Sequence, residues 1–169
     1  YPFQWFWDSC FHAIVWSRFD AERAADELRG LLAVQEPDGL IPHVVFWKGD
    51  LVSRLQWHHL ESRTAGRVPF HRTPYTTAQI QPPVLAQAVE RVVDAGADGF
   101  LTEALPHLER YYRHLEDLMW PDLFVVGGGV SRKAHKFLPH LDLRTPIVPA
   151  TLENAAGIIN WEKGSGLFV

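Results

Sequence analysis

Four stretches of the chain repeat apolar residues at three- and four-residue intervals, the period that places them on one face of an α-helix. Trp5, Phe6, Cys10, Ile14 and Val15 follow it between residues 5 and 18 and mark a buried first helix. Asp20 precedes a second helix, with Glu22 in its first turn and Ala24, Leu28, Leu31 and Leu32 as its stripe. A carboxylate at that position can accept from the free N–H groups of the first turn. This helix is expected to end near Gln35, because Glu36 to Gly39 read EPDG, a turn sequence. After QPP, where Pro82 and Pro83 suit a first turn, Val84, Leu85, Ala88, Val89, Val92 and Val93 form a third stripe that Gly96 can close. Thr102 is expected to cap a fourth helix carrying Leu105, Leu108, Tyr111, Tyr112, Leu115 and Leu118.

Residues 40–77 break the pattern, interrupted by Pro42, Gly49, Gly66, Pro69 and Pro74. A loop excursion of this length is uncommon in a compact domain unless it has a function. From 121 to 169 there is no clean period: FVVGGGV, with Gly127 to Gly129, reads as strand or loop, and a short helix is expected within 151–160. Helices joined alternately by short turns and long aromatic excursions predict an all-α fold of stacked helical hairpins, with the long loops on one rim. The expected division is residues 1–120 as helical hairpins and 121–169 as an irregular tail.

Composition narrows the function. The 169 residues, 47% hydrophobic and 21% charged, suit one globular unit. Sixteen basic and twenty acidic residues give a net charge of -4, without a block of Lys or Arg to track a phosphate backbone, so no nucleic acid is expected. A single cysteine, Cys10, excludes an intramolecular disulfide and is expected to be buried. No apolar run approaches the ~20 residues of a spanning helix, and a membrane partner is not expected. The expected location is the cytoplasm. Because Tyr1 already lies inside a patterned segment, the chain is expected to be a fragment.

The opening YPFQWFWDSC sets one carboxylate among indoles. Tyr1, Trp5 and Asp8 fall at i, i+4 and i+7, and share a face if the helix begins this early. Sugars have apolar C–H faces and hydroxyl edges, so a flat ring beneath and a carboxylate beside them make a binding pair. Charge-assisted hydrogen bonds of this kind contribute roughly 1.5 to 3 kcal/mol each when water is excluded. The alternative is core packing, with Asp8 favoured by the helix dipole. GLIPH, ending at His43, sets an imidazole four residues before Trp47. TTAQIQPP offers Gln79 and Gln81 just before a helix N-terminus, where primary amides can bind neutral polar ligands, or Thr76 and Thr77 can cap. His58, His59 and Glu61 tempt a metal reading, but they lack ligand spacing and HExxH, so no metal and no cofactor is expected. Gly127 to Gly129 lack the context of a phosphate loop, no GxSxG is present, and Glu116 and Asp117 read as a solvated helix face.

QWFWDSCFHA, GLIPHVVFW and QIQPPVLAQAV, in that order, resemble the N-terminal half of the catalytic domain of glycoside hydrolase family 63, of the mannosylglycerate and glucosylglycerate hydrolase type. FWDS more loosely resembles the YWDS element of trehalases. The resemblance covers about residues 1–120 and implies a partial (α/α)6 toroid, the six-hairpin glycosidase type. It also implies inverting hydrolysis of α-linked glucosides or mannosides, in which two carboxyl groups stand roughly 6.5 to 9.5 Å apart with a water between. It carries Tyr1, Trp5 and Asp8 onto the glycone-binding strip, Gln81 onto a substrate contact, and His43 with Trp47 onto the loop that approaches the site. Asp8 is then a hydroxyl acceptor and not the proton donor.

The family's general acid lies in a loop reading like WESGxDNSPRWD beyond the fourth helix, and its base further on. Here Trp120 is followed by PDLFVVGGGVSRKAHKFLPHLDLRTP, without DNSP. The chain is therefore expected to hold part of the sugar pocket, to lack the catalytic pair and the C-terminal half of the toroid, and to be inactive alone. Its tail either has left the family sequence or marks a divergent member. Two rival readings are a sugar epimerase or isomerase on a helical toroid, with His43 catalytic, and a helical interaction module without enzymatic function.

Overall fold

A computed structural model describes residues 3–48, 74–77, 79–127 and 134–150, and the backbone of Leu167–Phe168. Among them four helices of ten to twenty residues carry the architecture: α1 (Phe6–Trp16), α2 (Ala21–Leu32), α3 (Leu85–Asp94) and α4 (Phe100–Met119). Asp20 caps α2 by accepting from the Arg23 N–H at 3.0 Å, as its position before the stripe requires. Gly96, at φ +116°, ends the α3 segment. Helix α4 begins at Phe100, so Thr102 lies inside it rather than at its cap. Pro83 precedes α3, whose N-cap is Val84.

The helices are as amphipathic as their stripes. Helix α1 packs against α2 and α3, and α4 lies on α3. Phe6, Cys10 and Ala13 of α1 meet Ala24, Leu28 and Leu31 of α2, Leu85, Val89 and Val92 of α3, and Tyr111, Tyr112 and Leu115 of α4 in one buried cluster. Cys10 is fully buried, and desolvation, then the Glu27 charge, pushes its thiol well above the usual range. The opposite face of α1 leaves Trp7, Phe11 and Val15 exposed, with Phe19 just beyond its end.

The fold is mostly helical, as the stripes predict, and two small three-stranded sheets add to it. In the first, β1 (Phe3–Trp5), β2 (Val44–Phe46) and β3 (Tyr75–Thr76) pair antiparallel in the order β1-β2-β3, with Phe3 opposite Phe46 and Trp5 opposite Val44. Phe3, Trp5, Val44, Phe46 and Tyr75 form its own apolar cluster. Trp5 is extended, at φ -101° and ψ 138°, and is the N-cap of α1. The first helix therefore starts after Trp5, because the preceding residues satisfy their backbone groups through β2. Tyr1 and residues 49–73, His58, His59 and Glu61 among them, lie outside the described residues.

The second sheet belongs to the tail, which is not simply irregular. Strands β4 (Phe124–Val126), β5 (Ile147–Pro149) and β6 (Leu167–Phe168) pair parallel in the order β5-β4-β6. A four-residue helix, α5 (Ala134–Phe137), lies between β4 and β5. Parallel strands need a crossover rather than a hairpin. Residues 151–160, where a short helix was expected, lie outside the described residues. Phe124 joins the helical core, with its ring edge-on to Tyr112 at 6.1 Å.

Glu116 corrects the expectation of a solvated acidic face. It is 2% exposed, accepts from the Thr145 N–H at 2.5 Å and ties the tail to α4. Asp117, beside it, takes Arg144 at 2.6 Å.

Candidate functional site

The N-terminus of α1 is held from outside the helix. The first turn has no side-chain cap of its own, and the first four N–H groups of any helix lack internal partners. The Phe6 N–H donates to the His43 carbonyl at 2.9 Å, and the Trp7 N–H donates to Gln81 Oε1 at 2.9 Å. Segments far apart in sequence thereby converge on the start of α1, where Asp8 occupies the first turn.

Beside this point a cavity of about 700 Å³ opens between β1, α1, α2 and the residue after β2. Trp5, Asp8, Ser9 and His12 line it from the α1 side, Asp26, Glu27 and Gly30 from α2, and Phe3, Gln4 and Trp47 complete it. On α1, Asp8 and His12 lie four residues apart on one face, and Ser9 beside them is buried.

Three carboxylates line the cavity, and two have partners. Asp26 accepts from Arg29 at 2.7 Å, and Arg29 also holds Glu103 through two hydrogen bonds, at 2.8 and 3.0 Å. Glu27 accepts from the Gln4 amide at 3.2 Å. Asp8, exposed to solvent, has no hydrogen bond or ion pair to another described residue. Among the described lining residues there is no Lys or Arg. The cavity thus offers carboxylate and amide acceptors beside two indoles, a surface suited to neutral hydroxyl groups rather than anions.

The cavity gathers Trp5, Asp8 and Trp47, but not His43 or Gln81, and Tyr1 lies outside the described residues. His43 is 5% exposed, lies edge-on to the Trp5 ring at 5.5 Å, and hydrogen-bonds through Nδ1 to Thr77 Oγ1. Thr77 Oγ1 also accepts from the Val44 N–H at 3.3 Å. Burial lowers the His43 pKa and favours the neutral imidazole. Gln81 spends its oxygen on α1, as described above. Gln4, Ser9, His12, Asp26, Glu27 and Gly30 escaped the sequence reading: Gln4, Ser9 and His12 lie inside QWFWDSCFHA but carry no signal of their own there, and only the polar face of α2 opposite its stripe could have signalled Asp26 and Glu27.

Residues 1–127 match the family model described as the mannosylglycerate hydrolase MGH1-like glycoside hydrolase domain. A mannosylglycerate hydrolase of Thermus thermophilus is 36% identical over 105 residues, which are 58% of this chain and 22% of the relative. A glucosylglycerate hydrolase of Mycolicibacterium hassiacum is 34% identical over 130 residues, 69% of this chain and 28% of the relative. A further likeness is of another kind: a polyphosphate glucokinase of Mycobacterium tuberculosis is 60% identical over 45 residues, 27% of this chain and 17% of the kinase. The chain therefore spans between about a sixth and just over a quarter of the length of these relatives. With the family model matched across β1 to β4, including the cavity and both segments that hold α1, the chain belongs to the MGH1-like glycoside hydrolase family.

Proposed function

We propose that the chain carries part of the glycone-binding pocket of an inverting α-glycoside hydrolase acting on small glucosides or mannosides, of the glycosylglycerate class. Trp5 and Trp47 supply the flat apolar faces, and Asp8 accepts sugar hydroxyls. The observation that carries this reading is the convergence of both indoles with an unpartnered carboxylate on one cavity in a glycoside hydrolase chain. Two positioning roles accompany it: His43 steadies Trp5 edge-on, and Gln81 holds the first turn that bears Asp8. Tyr1 belongs to the same strip by its place in the motif. Hydrolysis itself needs an acid and a base supplied beyond these residues, so the chain is the binding part of a larger catalytic unit, a partial helical toroid.

The family match ends at residue 127, just after β4, and 45 residues of the chain are akin to polyphosphate glucokinase. No phosphoryl transfer is proposed, since the likeness spans 17% of the kinase. The epimerase reading made His43 catalytic, whereas His43 is buried and lies outside the cavity lining, where His12 is the imidazole present among the described residues.

The test is a titration of the chain with glucosylglycerate and mannosylglycerate, followed by NMR. Binding is expected, and Asp8→Asn is expected to weaken it by roughly tenfold to a hundredfold, the loss of one or two charge-assisted hydrogen bonds. Binding by Asp8→Asn as tight as that of the unaltered chain would remove Asp8 from the site.

A further inference from the structure

One side chain in the cavity is held more firmly than its type requires. Gln4 Nε2 donates to the Glu27 carbonyl at 2.8 Å and to Glu27 Oε1 at 3.2 Å, while Gln4 Oε1 accepts from Trp47 Nε1 at 3.1 Å. The orientation of the amide is settled by its partners: an indole N–H only donates and a backbone carbonyl only accepts, so a flipped amide would lose both bonds. A strand residue thus couples α2 to an indole more than forty positions further along the chain.

Gly30 completes the arrangement. It lies in the interior of α2, where glycine costs roughly 0.5 to 1 kcal/mol relative to alanine. A Cβ there would stand 2.9 Å from Gln4 Oε1 and 3.3 Å from Nε2. The amide occupies the space that a methyl group would take, and it cannot move aside without giving up Glu27 or Trp47.

We propose that Gln4, admitted by the gap at Gly30, is a positioning residue that fixes the Trp47 indole on the cavity wall as a stacking platform for the ligand. The proposal rests on the sugar-binding reading above and adds a residue pair to it. Trp47 is partly exposed and follows a three-residue strand, so without the Gln4 bond its ring is free to rotate. Holding it in one rotamer before the ligand arrives spares that entropy on binding.

Two variants test it, with two readouts. The Trp47 indole N–H resonance, identified by its loss in Trp47→Phe, reports the Gln4 bond without any ligand. Glucosylglycerate titration reports binding. In Gln4→Met, which keeps length but not hydrogen bonds, the resonance is expected to shift and affinity to fall roughly 3- to 10-fold. Gly30→Ala is expected to shift the same resonance and weaken binding similarly while its thermal midpoint stays level or rises, a split that a purely structural role would not produce. An unmoved resonance in both variants overturns the proposal, as does a shifted resonance with unchanged affinity. No binding by the unaltered chain overturns the sugar reading, and the platform role with it, even where the resonance shift shows the Gln4 bond to be real.

Discussion

At the scale of single residues, the site is a division of labour among polar groups. Asp26 is neutralised by Arg29, Glu27 is engaged by Gln4, and Asp8 remains as the acceptor facing solvent. Gln81 shows why a conspicuous residue need not touch a ligand: its amide oxygen completes the first turn of α1 at 2.9 Å from the Trp7 N–H. Gln81→Leu leaves that N–H without its partner, and the expected loss is about 1 kcal/mol, in the range of a deleted helix cap. Urea unfolding measures it. Unaltered stability with lost sugar binding would instead place the amide against the ligand. Trp5 and Asp8 stood out in the sequence as an acid among indoles, and Trp47 by its place four residues after His43; the three line one cavity. Gln4 and Glu27 were not, since each is an ordinary polar residue whose meaning comes from a partner far along the chain.

At the scale of elements, helices could be read and strands could not. The stripes of α2, α3 and α4 extend over ten or more residues and average out local exceptions. Strands β1 and β2 have three residues each, and β2 is buried on both faces, so neither can show an alternation. Trp5 and Phe6, spaced to suit a helix from the outset, straddle the boundary between β1 and α1. The EPDG turn was legible, although its tightness was not. Gly39 sits at φ +96°, and a Cβ would lie 2.1 Å from the Arg110 carbonyl oxygen of α4. Gly39→Ala must strain its backbone and push the turn off α4, with an expected cost of about 3 kcal/mol or more, read as a fall in the denaturant midpoint.

At the scale of the whole molecule, one core unites helices that match a hydrolase family with a tail of different topology. Tyr112 and Phe124, both within the family match, meet in that core, and Glu116 fastens the loop before β5. A parallel sheet whose strands are two or three residues long leaves little signal in a sequence. Exposed Trp7, Phe11 and Val15 lie on the outer side of α1, while Cys10 faces inward. That inward thiol has a practical consequence. Shut away from reagent and reluctant to ionise, it can be alkylated only when α1 lifts from α2, so the labelling rate is a stopwatch for that separation. In native buffer the reaction with iodoacetamide is expected to run about a hundredfold or more slower than in denaturant. Equal rates would reveal a seam that stands open, and mass spectrometry of the intact chain would register the difference without any engineered probe.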